Sequence, residues 1–218
     1  MDKLRLRFEK TGRAIYISHL DLMHTMQRAF LRAGVPLKYS EGFNPHPIIS
    51  ILLPLSVGCG SVCELMDFRL KDNVELASLP EKLNAAMPEG IRVTDVYEEG
   101  LKVRELKWLR VKGRMEYDEG DTAVIAEKLR EFYNGDIVIT KKTKRGIGDF
   151  DLKAGIKEIS FTPDGDKVMV EAVISAQEPT VNPELIAEAL RQKKPEFAPD
   201  FAAFERQENY TENMEIFR

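Results

Sequence analysis

The chain has 218 residues, 43% hydrophobic and 31% charged, which leaves room for one large or two small domains with a real core and excludes a disordered chain. Its two cysteines, Cys59 and Cys63, are too few for a disulfide-framed secreted scaffold, a four-thiolate zinc site or a three-cysteine iron–sulfur cluster. The net charge of −4 argues against generic nucleic-acid binding, although residues 101–160 hold a basic excess and residues 161–218 an acidic one.

The N-terminal segment lacks the apolar run of a secretory signal, and the longest nearly uncharged stretch, residues 42–63, is broken by prolines. A cytoplasmic chain with no membrane segment is expected. Leu4, Leu6 and Phe8 alternate with Arg5, Arg7 and Glu9, predicting a strand with one buried face and one exposed, mostly basic face. Ser18 followed by Asp21 predicts a helix start, and Gly34 with Pro36 its end. Leu22, Met26, Ala29 and Ala33, joined by Met23 and Phe30, form its buried stripe, while His24, Arg28 and Arg32 form a polar one. Residues 48–53 and 63–70 read as strands, residues 74–87 as a second helix and residues 91–97 as a fourth strand.

The second half repeats this plan: a strand at 108–117, a helix at 121–133 and a strand at 137–140. A hairpin follows, residues 156–161 and 167–175 around Pro163-Asp164-Gly165-Asp166. Asn182 and Pro183 predict a helix to about residue 193, and residues 201–206 a last strand. The expected fold is α+β, two tandem ferredoxin-like (β-α-β-β-α-β) units with antiparallel sheets, over residues 1–100 and 101–218.

Residues 38–47 pack hydrogen-bonding side chains between prolines and a glycine. Lys38, Ser40, Asn44 and His46 there suit an anion or the polar edge of a ligand, with Gly42 permitting close backbone approach. The alternative is an architectural turn. His19 and His24 are five residues apart, about 140° around a helix, so they cannot share one metal. His19, with Asp21 beside it at the helix start, is instead a candidate to face the loop holding His46. Lys141, Lys142, Lys144, Arg145 and Lys153, with Lys157 and Phe150, read either as a mobile basic loop touching RNA or as a solvated charge run. No phosphate loop, dinucleotide fingerprint, nucleophile elbow or HExxH helix occurs, so no catalytic residue is assigned, the cysteines are read as free, and neither metal nor cofactor is expected.

The stretch from Arg7 to Gly58, with its HLDLM and GFNPHP elements, resembles the opening of the radical-SAM-linked domain family of unknown function. The similarity is strongest over residues 1–70. It departs at Asp151-Leu152-Lys153-Ala154-Gly155-Ile156, where that family often shows an Asp-Ile-Arg-Pro-Tyr-Ile-like run. The resemblance implies a partner that is a radical S-adenosylmethionine enzyme, in an RNA or ribosome-modification context. With two cysteines this chain cannot itself hold the three-cysteine cluster of such an enzyme. The expected function is therefore a non-catalytic accessory protein that recognises a substrate, perceived through residues 38–47 and the stripe His24, Arg28 and Arg32. The alternative, by fold analogy with CRISPR repeat-processing endoribonucleases, is a metal-independent ribonuclease or RNA-binding protein using His19 or His46.

Overall fold

The computed structural model describes residues 3–143 and 146–218, an α+β chain whose strand pairs within each unit are antiparallel. It divides into two units, Met1–Glu105 together with Arg218, and Leu106–Phe217. Among the described residues no helix is long and apolar enough to cross a membrane.

The first unit contains β1 (Leu4–Lys10), a 3-10 turn (Gly12–Tyr16), α1 (His19–Arg32), β2 (Ile49–Ile51), β3 (Gly60–Phe68), α2 (Leu79–Asn84) and β4 (Ile91–Glu98). Leu6 of β1 lies opposite Met66 on one side and Val96 on the other, and Ile51 of β2 also pairs with Met66, so the sheet order is β4-β1-β3-β2. Leu6, Phe8, Met26, Phe30, Met66 and Phe68 close the core, with the Phe30 and Phe68 rings edge to face at 5.1 Å. Each such side chain contributes about 1.5–3 kcal/mol by leaving water.

Local chemistry explains α1. The Ser18 hydroxyl accepts from the Asp21 N–H at 3.1 Å and donates to its carboxylate at 2.7 Å. At the far end Gly34 takes a φ of 67°, so that its N–H reaches the Leu31 carbonyl and the Val35 N–H reaches that of Phe30, the paired closure that suits a left-handed glycine. The second helix is shorter than expected: a 3-10 turn at Leu76–Ser78 precedes α2, because Pro80 can only open a helix. Asn84 then turns to the sheet edge, where its amide both donates to the Val93 carbonyl and accepts from the Val93 N–H, each at 2.8 Å. This clasp occupies backbone groups of edge strand β4 that would otherwise stay open.

The basic face of β1 is not exposed. Arg5 is fully buried and Arg7 half-buried. The Arg5 guanidinium donates to both Asp67 oxygens at 2.7 and 3.3 Å, lies 3.5 Å from Glu99 and donates to the Leu101 carbonyl at 3.0 Å. Lys3 bridges Asp67 and Glu99 at 2.6 and 2.8 Å, and Lys102 reaches Glu99 at 3.1 Å. Alternation reports which residues share a face, not what covers that face.

Burial alone would raise the Glu99 carboxyl, but hydrogen bonds from Lys3 and Lys102 outweigh it and hold the group below its ordinary value. For Lys3 burial would lower the ammonium, yet Asp67 and Glu99 leave it raised. A depressed carboxyl stabilises the fold above its unfolded pKa, about 4.3, and that contribution is lost as pH falls through the folded value. In urea titrations between pH 3 and 7, Glu99→Gln is therefore expected to flatten the acid limb of the stability curve. An unchanged limb would mean that Glu99 is not coupled to the network.

The second unit runs β5 (Trp108–Glu116), α3 (Thr122–Asn134), β6 (Val138–Thr143), β7 (Gly146–Asp151), β8 (Ile156–Asp164), β9 (Lys167–Ser175), α4 (Glu184–Lys193) and β10 (Phe201–Tyr210). Four strands form a sheet in the order β10-β5-β9-β8. The β8–β9 turn is only Gly165-Asp166, with Gly165 at a φ of 61°, while Pro163 and Asp164 belong to β8. The strand expected at 137–140 lies outside this sheet. It is part of β6, which pairs with β7 in a separate two-stranded ribbon, so Lys141 and Lys142 of the expected basic loop lie on a strand. Gln192 of α4 holds that ribbon by accepting from the Thr140 N–H at 2.8 Å and donating to its carbonyl at 3.0 Å. Tyr133, buried against Phe161, donates its hydroxyl to the Ile186 carbonyl, and burial pushes its pKa up; burial and Asp200 push Tyr117 up to about 12.

Candidate recognition surface

The segment following α1 forms a clasped loop. Leu37 bridges to Leu70 and Tyr39 to Pro47, and Lys38 donates its N–H to Arg69 and accepts from Ile48, both at 2.8 Å. The Ser40 N–H donates to the His46 carbonyl at 2.9 Å. The Ser40 hydroxyl accepts the His46 N–H at 3.1 Å and sits 3.0 Å from His46 Nδ1. With Gly42 at a φ of 123°, the loop turns outward and leaves Phe43 fully exposed at its tip, beside exposed Asn44.

His46 and Ser40 are thus brought together, by each other. No hydrogen bond or ion pair joins His19 to them: it opens α1, a helix of 14 residues or about 21 Å, and the chain enters the loop from the other end of that helix. His19, Asp21, His24 and Arg28 are all exposed, the Asp21 carboxylate being engaged by Ser18. Arg32 departs from the expected stripe, because its guanidinium donates to the Ala86 carbonyl at 2.6 Å.

Two aliphatic side chains on α1 escaped the sequence reading, Leu20 and Leu31. They are 67% and 79% exposed. The signal was present in the wheel: at 100° per residue both fall on the side opposite Leu22, Met26 and Ala29. Phe43 was hidden for another reason, since no periodicity describes an irregular loop.

The basic cluster divides. Lys141 lies 4.5 Å over the Phe150 ring and Lys142 is exposed, while Lys144 and Arg145 lie outside the described residues. Lys153 is half-buried, and its ammonium donates to the Tyr133 carbonyl at 2.5 Å, where it neutralises the last turn of α3. Arg5 is likewise withdrawn from any basic surface by its burial. On the open side of the second sheet Lys112 pairs with Glu171 and Arg114 with Glu116, leaving mixed charge rather than a cationic field. Cys59 and Cys63 are buried and not joined in a disulfide, and each sulfur has a hydrogen-bond neighbour, the Gly60 carbonyl and the Ser61 hydroxyl, both at 3.6 Å. Among the described residues no group of three His, Cys, Asp or Glu side chains is placed to hold a metal.

A family described as "Uncharacterized protein conserved in bacteria (DUF2344)" matches residues 3–183. The chain belongs to this family. The match takes in β1, α1, the clasped loop and the β6–β7 ribbon, and ends at Pro183, before α4 begins. No curated protein matches the sequence. Among solved structures, the chain is similar to one described as "Crystal Structure of a Cbf5-Nop10-Gar1 Complex", at 12% identity and a TM-score of 0.48, covering 94% of this chain and 48% of that one. The chain thus spans about half the length of that match. It is also similar to "an Unknown Protein from Galdieria sulphuraria", at 10% identity and a TM-score of 0.26, covering 94% of this chain and 98% of the other. Both overlaps are too loose to carry anything over from those proteins.

Proposed function

We propose that this DUF2344 chain is a non-catalytic accessory protein that recognises a partner in the cytoplasm, and that the partner is a radical S-adenosylmethionine enzyme acting in RNA modification. The resemblance of residues 1–70 to the radical-SAM-linked domain supplies the identity of the partner. The observation that carries recognition is Phe43, a full aromatic side chain held in water by a loop closed through Ser40 and His46. Burying such a ring in a partner pocket gains about 1.5–3 kcal/mol, and a loop already closed loses little entropy on binding. We also read each unit as a ferredoxin-like plan. The orders β4-β1-β3-β2 and β10-β5-β9-β8, the second with the β6–β7 ribbon inserted after α3, support that reading.

Tagged chain co-expressed with a radical S-adenosylmethionine enzyme is expected to retain it at low salt, scored by the cluster's absorbance and by mass spectrometry. Phe43→Ser should cut retention at least about tenfold with unchanged circular dichroism, and Ser40→Ala less, since it only loosens the clasp. Equal retention by Phe43→Ser, or no retention by the wild type, sinks the reading. Direct RNA contact is the second reading, favoured by Lys141 over Phe150 and by exposed Lys142. It predicts binding of a short single-stranded RNA that weakens steeply with salt.

A further inference from the structure

We propose that the outer face of α1 docks an acidic amphipathic helix of a partner protein. The proposal rests on the reading that the chain works by binding a partner, but it uses a surface other than the Phe43 loop. Leu20 and Leu31 are eleven residues apart, so they lie within about 20° of each other around the helix and about 16 Å apart along it. His24 and Arg28 stand between them, both exposed. Tyr16, 66% exposed, precedes this line. The Gly58 N–H donates to the Ile15 carbonyl at 2.9 Å, which brings exposed Val57 to the same end.

These side chains do no work in the core. Leu22, Met26, Ala29 and Phe30 already bury the other side of the helix. Scattered exposed aliphatics need no explanation, but leucines repeated three turns apart on one line match the ridge that a second helix presents at i, i+4, i+7 and i+11. Charge selects the occupant. Arg13 and Arg28 are exposed cations around the apolar line, beside exposed His19 and His24, whereas the one carboxylate of α1, Asp21, is turned to Ser18. Apart from Tyr16 at one end the knobs are aliphatic and offer successive nucleic-acid bases no row of flat faces to stack on, which favours a protein helix carrying glutamates over RNA.

The probe is a synthetic amphipathic helix of about 20 residues with leucines on one ridge and glutamates flanking it. Titrated into the full-length, isotope-labelled chain, it is expected to shift amide resonances at residues 13–31 and 57–58. Replacing its glutamates by lysines, or using the chain with Leu20→Ser and Leu31→Ser together, should weaken binding at least about tenfold. Both leucines are solvent-exposed, so the double variant should keep its melting temperature, and Val124→Ser, an exposed change on α3, should bind as wild type. The inference is overturned by shifts that map elsewhere, by equal binding of the lysine peptide, by an RNA oligonucleotide occupying the same face more tightly, or by concentration-dependent self-association that the double variant abolishes. If the acidic peptide binds here while no radical S-adenosylmethionine enzyme is retained, the partner assignment fails and the docking face stands. If the enzyme is retained equally by the double variant and the acidic peptide shifts nothing on α1, the docking face fails and the partner assignment stands.

Discussion

Arg5→Met is expected to lower the unfolding free energy by about 3–5 kcal/mol, read as a shift of the urea midpoint at unchanged slope. The guanidinium is fully buried and is held by Asp67, 3% exposed, by Glu99 and by the Leu101 carbonyl. Removing it does not simply delete attraction. It leaves the buried Asp67 carboxylate with Lys3 and takes from Glu99 one of its three cationic partners, and breaking a buried, hydrogen-bonded pair costs far more than losing a surface ion pair. Lys102→Met provides the contrast, because Lys102 holds Glu99 from a side chain 62% exposed and should cost less than about 1 kcal/mol. With total stability of about 5–15 kcal/mol in an ordinary domain, the first change threatens folding and the second does not. Equal costs for the two would show that the buried cluster is no more coupled than a surface pair.

Gly90→Ala should destabilise by about 2–5 kcal/mol, combining backbone strain with a steric clash. Gly90 takes a φ of 85°, and a Cβ there would lie 2.4 Å from the Thr11 carbonyl oxygen and 2.9 Å from the Ala14 Cβ. The backbone cannot yield easily, since the Thr11 N–H donates to the Gly90 carbonyl at 2.8 Å and Ala14 is buried in the core. Gly34→Ala separates the two contributions. Its φ is 67° but nothing lies within 4 Å of the added carbon, so only the left-handed strain remains, about 1–2 kcal/mol. Thermal melts of both variants check this, and Gly90→Ala melting no lower than Gly34→Ala would remove the clash from the account.

How far the fold could be read ahead follows the range of the forces. Ser18, Asp21, Gly34 and Pro36 announced both ends of α1 because a cap is satisfied by residues within a few positions of each other. Strand β9 was legible over its full length as the arm after the turn residues Pro163-Asp164-Gly165-Asp166, whereas β10 runs four residues past the expected end, to Tyr210, and is held there by pairing with β5. The 74–87 region was over-read as helix, since its apolar spacing concealed the effect of Pro80 and the turn of Asn84 towards Val93. The candidate surface was legible in part. Ser40, Asn44 and His46 stood out by type, but the clasp that Ser40 and His46 form depends on a backbone reversal that no pattern encodes.

The sequence by itself determined the α+β class, the caps and core stripe of α1, the unusual character of residues 38–47 and the exclusion of a three-cysteine cluster in this chain. These are matters of residue type and short-range spacing. Only the tertiary structure decided that Arg5 is buried on Asp67, 62 residues away, that Lys153 closes α3, that β6 and β7 leave the second sheet as a ribbon, and that Phe43, Leu20 and Leu31 stay in water. Burial of a charge or exposure of a leucine is set by what packs against it, and those neighbours are supplied by distant parts of the chain.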